Sequence, residues 1–106
     1  MIVSVKIMST SKEYHDFILE QLSLLDSITS RSMMGEYLLY YKGILFGGIY
    51  DHRLMVKKVA NNEKYHLPEE FPYETAKHPL YLIDEVDNQE LLRDIIIDTY
   101  EDLKKK

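Results

Sequence analysis

The chain has 106 residues, 13 Lys/Arg against 18 Asp/Glu, a formal charge of −5, nine Tyr, four Gly, three Pro, and neither Cys nor Trp. One core fits this length, and the apolar fraction of 45% excludes a disordered or low-complexity chain. The absence of Cys removes disulfides, thiolate metal sites and thiol catalysis, and the acidic balance argues against direct binding to nucleic acid, which starts from a surplus of Lys/Arg.

Residues 1–7 alternate weakly, with Val3, Val5 and Ile7 on one side, and read either as a short strand or as an extension preceding Met8. The segment has no basic lead-in and no cleavage site of a signal peptide. No apolar run approaches the ~20 residues of a membrane span, so a cytoplasmic location is expected.

Thr10-Ser11-Lys12-Glu13 fits a capping box with Thr10 in the lead. Tyr14, Ile18, Leu22 and Leu25 then follow at helical spacing, which predicts an amphipathic helix ending at Asp26-Ser27. From Ile28 the period drops to two, predicting strands over 28–34, 36–41, 44–50 and 54–58. Gly35, Tyr41-Lys42-Gly43 and Asp51-His52-Arg53 separate them, so the series reads as an antiparallel meander. Gly47-Gly48 inside the third strand predicts a bulge or a close approach, for which packing of the first helix is favoured over a ligand.

Residues 60–66 read as one or two helical turns, and 67–79, which holds all three prolines, as an irregular loop. A further strand is expected over 80–83. Asp87-Asn88-Gln89-Glu90 is a second capping box, opening a helix with Leu91, Leu92, Ile95, Ile96, Tyr100 and Leu103 on one face. Lys104, Lys105 and Lys106 complement the negative helix end as a solvated tail. The expected fold is therefore a single α+β domain over 1–106: an antiparallel sheet of four to five strands flanked by N-terminal and C-terminal helices, in two layers.

In the second strand Glu36, Leu38 and Tyr40 share one face, and Tyr37, Leu39 and Tyr41 the other. In the third, Ile44, Phe46 and Tyr50 oppose Leu45 and Ile49. Both faces are largely apolar, yet the helices suffice to cover only one. The second face then needs a subunit, the proline-containing loop or a partner. Tyr buries its ring while its hydroxyl stays wet; Tyr14, Tyr50 and Tyr100 read as core, whereas Tyr37, Tyr40 and Tyr41 read equally as core or as an interaction surface.

Chemistry is not legible. His15, His52, His66 and His78 lack ligand spacing and read as surface histidines. Glu69-Glu70 and Asp84-Glu85 are adjacent in sequence without a defined separation across a cleft. Phosphate loops and a nucleophile elbow are missing. No catalytic residue, metal or cofactor is assigned.

The block Thr29-Ser30-Arg31-Ser32-Met33-Met34-Gly35-Glu36-Tyr37, then Leu39-Tyr40-Tyr41-Lys42-Gly43 and Leu45-Phe46-Gly47, resembles the N-terminal domain of TfoX/Sxy-type proteins, regulators of natural competence. Phe17–Leu22 before it and Leu54-Met55-Val56-Lys57 after it fit as well, so the likeness covers about residues 9–58 and, more loosely, the Tyr81 strand and final helix. The motif positions are Arg31, Met33, Gly35, Tyr37 and Gly43; Glu36 stands where many members carry a small residue. The resemblance implies an α+β domain and no catalytic role for Arg31 or Gly35. Arg31 is expected to pair with a carboxylate or cap a helix end, and Gly35 to make a bend. Longer members carry a C-terminal helical domain, and none is expected in this chain. The function expected is a non-enzymatic regulatory or protein-interaction module, homodimeric, with a protein partner in transcription regulation. The alternative is a small-molecule-binding domain using Arg31, Tyr37, Tyr40 and Tyr41 around an apolar pocket.

Overall fold

The computed structural model describes residues 9–105, so the reading of 1–7 and the last residue of the lysine tail lie outside the described residues. Four strands form a meander: β1 (Ile28–Met33), β2 (Glu36–Tyr41), β3 (Ile44–Tyr50) and β4 (Arg53–Val56). Their two-residue loops are Met34-Gly35, Lys42-Gly43 and Asp51-His52, and all six residues have positive φ. This is the geometry of type I′ turns, whose twist matches that of the strands they join. Gly35 and Gly43 take φ of 86° and 81° at no steric cost, whereas Met34, at 52°, does so with a side chain.

After β4 come a 3₁₀ helix (Ala60–Tyr65), β5 (Glu69–Glu70) and β6 (Leu80–Ile83). The sheet has six antiparallel strands in the order β1-β2-β3-β4-β6-β5. The α+β class holds, with one strand more than expected. That strand, β5, pairs Glu69 with Tyr81 and Glu70 with Leu80 between Pro68 and Pro72. A two-residue bridge flanked by prolines has no periodicity to reveal it.

The helices α1 (Lys12–Gln21) and α2 (Gln89–Leu103) pack on one face of the sheet. Ile18, Leu22 and Leu25 meet Leu92, Ile95 and Ile96 over Leu39, Phe46, Ile49, Leu54, Val56 and Ile83, forming one continuous core. Each such side chain contributes about 1.5–3 kcal/mol on burial. The described helix α1 ends at Gln21 rather than at Asp26, yet Leu25 stays in the core because its N–H bonds the Leu22 carbonyl in a following turn.

Both predicted caps are displaced by one residue. Ser11, not Thr10, caps α1, its hydroxyl accepting from the Tyr14 N–H at 3.1 Å. Asn88, not Asp87, caps α2, accepting from the Leu91 N–H at 3.1 Å. Ser11→Ala is expected to cost about 1 kcal/mol, read as a lower denaturant midpoint with an unchanged slope.

The register of β3 also departs from simple alternation. Tyr37 pairs with Ile49 and Leu39 with Gly47, but Tyr40 pairs with Leu45, so Phe46 is the extra residue of a bulge. Phe46 therefore lies with Ile49 on the helix face, while Tyr50 lies with Leu45 on the other, correcting the expected grouping of Phe46 with Tyr50. The diglycine reflects strand contacts instead of α1. A Cβ on Gly47 would meet the Met55 oxygen at 2.0 Å, and one on Gly48 the Tyr37 oxygen at 2.5 Å.

Candidate functional site

The helices leave one face of the sheet uncovered by themselves. It carries Arg31 and Met33 from β1, Glu36, Leu38 and Tyr40 from β2, Leu45 and Tyr50 from β3, Met55 from β4, and Leu80 and Leu82 from β6. Tyr50, Met55 and Leu82 form a second, smaller buried cluster, with Leu38 and Leu80 packed against it.

The segment 71–79 supplies part of the cover. Arg53 holds its start in place, donating to the Glu70 carboxylate at 2.7 Å and to the carbonyls of Phe71 and Pro72 at 3.2 and 3.0 Å. Pro72 is buried, and the Tyr73 ring lies 6.2 Å from that of Tyr50. Burial, then the neighbouring Tyr73, Glu36 and Tyr40, raises the Tyr50 phenol above its ordinary pKa, so it stays neutral. The cover is partial: Leu38, Tyr40, Leu45 and Leu80 remain half-buried, and Met33, Phe71 and Tyr73 are 42%, 53% and 46% exposed.

The sequence-derived site residues do not converge. Tyr37 and Tyr41 lie on the helix face, and Tyr40 and Arg31 on the opposite one, as the pleat requires. Tyr41 is buried with its ring 5.0 Å from Tyr100, edge to face. Tyr37 stacks at 4.1 Å on His15. Met33 and Gly35 sit at one end of β2 and Gly43 at the other. Arg31 is exposed and, among the described residues, neither pairs with a carboxylate nor caps a helix end as expected. Gly35 does make the bend, and its carbonyl accepts the Thr10 N–H at 2.9 Å. The motif is thus the framework of a hairpin.

His15 is a correction: it is buried, not a surface histidine, with Nε2 2.8 Å from Ser30 Oγ and Nδ1 2.9 Å from Asp16. The hydrogen bond from His15, then that from Lys12, holds the Asp16 carboxyl below its ordinary pKa. Its position was recoverable from sequence, since His15, Ile18, Leu22 and Leu25 share one helical stripe. His52, His66 and His78 are exposed, and among the described residues no group of three or more His, Asp or Glu is placed to hold a metal ion.

A polar knot at the Gly35 end was not legible. The Thr10 hydroxyl donates to Glu36 Oε1 at 2.7 Å and accepts the His52 N–H at 3.1 Å. The Asp51 N–H reaches both Glu36 oxygens, at 3.0 and 3.1 Å. Thr10 and Glu36 are buried, and together they fasten the start of α1 to the β1–β2 and β3–β4 turns.

A sequence model of the TfoX N-terminal domain matches residues 20–103, from the last two residues of α1 through every strand to the end of α2. The chain belongs to this family. The match takes in β6 and α2, where the likeness was loose, and adds β5, so the family's sequence pattern spans the whole sheet; residues 9–19, which the resemblance also covered, lie outside it. No curated protein matches the chain significantly. Within this TfoX N-terminal domain no described helix is long and apolar enough to cross a membrane.

Proposed function

We propose that this TfoX N-terminal domain is a non-enzymatic protein-interaction module of the cytoplasm that forms a homodimer through the outer face of its sheet. Its role, in this reading, is regulatory, engaging a protein partner in transcription control of the kind associated with competence. The observation that supports it is the apolar band of Leu38, Tyr40, Leu45 and Leu80, which the segment 71–79 covers only in part. Apolar surface of this kind, rimmed by polar residues, is characteristic of interaction sites. Direct contact with nucleic acid is no part of the reading. Of the three strand-end cations Arg53, Lys57 and Lys58, two are already spent on Glu70 and Glu69 at 2.7 and 2.9 Å.

Light scattering after gel filtration at tens of micromolar is expected to return twice the 12.6 kDa of one chain. Leu45→Lys, which places a charge beside Tyr40 in the band, is expected to weaken association by about tenfold, equivalent to ~1.4 kcal/mol, and to restore the single-chain mass. A single-chain mass for the unaltered protein overturns the reading.

A further inference from the structure

A hollow of about 330 Å³ opens at the Gly35 end of the outer face, lined by Met33, Met34, Glu36, Tyr50, Tyr73 and Thr75. Its size is that of a small-ligand site. Glu36 is 9% exposed, and among the described residues its carboxylate accepts hydrogen bonds from two neutral donors, the Thr10 hydroxyl and the Asp51 N–H. Among the described residues no Lys, Arg or His lies within ion-pairing distance of it. A carboxylate that already gathers donors and has no counter-charge among the described residues offers a cation a complementary partner.

The rest of the lining selects the kind of cation. The tilted rings of Tyr50 and Tyr73, with centroids 6.2 Å apart, offer electron-rich π-systems of the sort that attract organic ammonium groups. Burial and the neighbouring acidic groups keep the Tyr50 phenol protonated, which preserves it as a neutral wall. Glu36 is the one His, Asp or Glu among the described residues that line the hollow, too few donors for a metal site. Met33 and Met34 supply flexible apolar surface at the mouth. Met34 is 94% exposed and holds a left-handed turn conformation at φ 52°, a position where Asn or Gly is the usual occupant.

We propose that this hollow binds a small organic ammonium ion with a short apolar body, its charge held between the Glu36 carboxylate and the rings of Tyr50 and Tyr73. The body would lie against the two methionines, with the Thr75 side chain at the rim. The hollow shares the outer face with the proposed dimer contact, but its chemistry does not require that contact.

The test is an NMR titration of the isotope-labelled chain with 2-phenylethylammonium, set against 2-phenylethanol, which keeps the shape and removes the charge. The ammonium ion is expected to give saturable amide shifts centred on Gly35, Glu36, Tyr50, Tyr73 and Thr75. The alcohol is expected to bind at least about tenfold more weakly, as is the ammonium ion to Glu36→Gln. Tyr73→Leu takes no part in the Thr10–Glu36–Asp51 knot and is expected to weaken the ammonium ion several-fold, so it carries the test if Glu36→Gln does not fold. Running the titration also on Leu45→Lys separates an occluded site from an absent one. Equal affinity for amine and alcohol, no saturable shift in either the unaltered chain or Leu45→Lys, or indifference to the folded variants overturns the proposal.

Discussion

Gly47→Ala is expected to destabilise the domain by more than about 4 kcal/mol, seen as a large fall in melting temperature and in soluble yield. The added Cβ would sit 2.0 Å from the Met55 oxygen, 2.8 Å from Val56 Cα and 3.0 Å from the Met55 carbonyl carbon, all backbone atoms of β4. A flexible side chain would yield to such a clash by rotating, but β4 is held between β3 and β6 through paired residues on both sides. Relief therefore requires breaking the β3–β4 ladder or displacing β4 from the core residues Leu54 and Val56. Either cost exceeds about 4 kcal/mol, against a total of ~5–15 kcal/mol for a domain of this size. Far-ultraviolet circular dichroism and soluble yield report the outcome. Gly43→Asn is the control: nothing lies within 4 Å of its Cβ and its φ is +81°, so only the left-handed backbone is taxed. A loss of about 1 kcal/mol is expected there. A Gly47→Ala protein melting within a few degrees of the unaltered chain would refute the argument.

Asn62→Ala carries the second largest effect. Asn62 is fully buried at the junction of the 3₁₀ helix and α2, and each polar atom of its amide is used. Nδ2 donates to the Lys57 carbonyl at 2.8 Å and to Thr99 Oγ1 at 2.9 Å, while Oδ1 accepts the Val59 N–H at 3.1 Å. Thr99 keeps one bond of its own, to the Ile95 carbonyl at 2.7 Å. Truncation leaves the Val59 N–H and the Lys57 carbonyl, both in half-buried residues, without these partners, each costing ~1–3 kcal/mol. The expected sum is about 3 kcal/mol, or roughly 15 °C in melting temperature. Thr99→Val, which removes one partner alone, is expected to cost less, and the double variant less than the two added together. Additive losses would show that the pair does not act as a unit.

The sequence by itself determined whatever depends on residues close along the chain. Ile18, Leu22 and Leu25 and then Leu92, Ile95 and Ile96 marked two apolar stripes, and those stripes are what the sheet buries. The alternation from Ile28 to Tyr50 and the glycines at 35 and 43 marked a meander, because strand period and turn conformation are local properties. The family was legible in the same span, since its pattern is the hairpin framework itself.

Tertiary structure alone decided the points at which two local solutions compete. Thr10 and Ser11 are equally good caps; Ser11 takes the role because Glu36, 26 residues from Thr10, claims the Thr10 hydroxyl. The diglycine announced a bulge but not its phase, and the bulge at Phe46 settles which residues of β3 face the helices. The tyrosines of β2 form no common surface, since neighbouring side chains leave a strand on opposite sides. The hollow beside Glu36 lies furthest from sequence reach. It is assembled from β2, β3, the Met34 turn and the segment carrying Tyr73 and Thr75, and no local pattern encodes the meeting of segments so far apart.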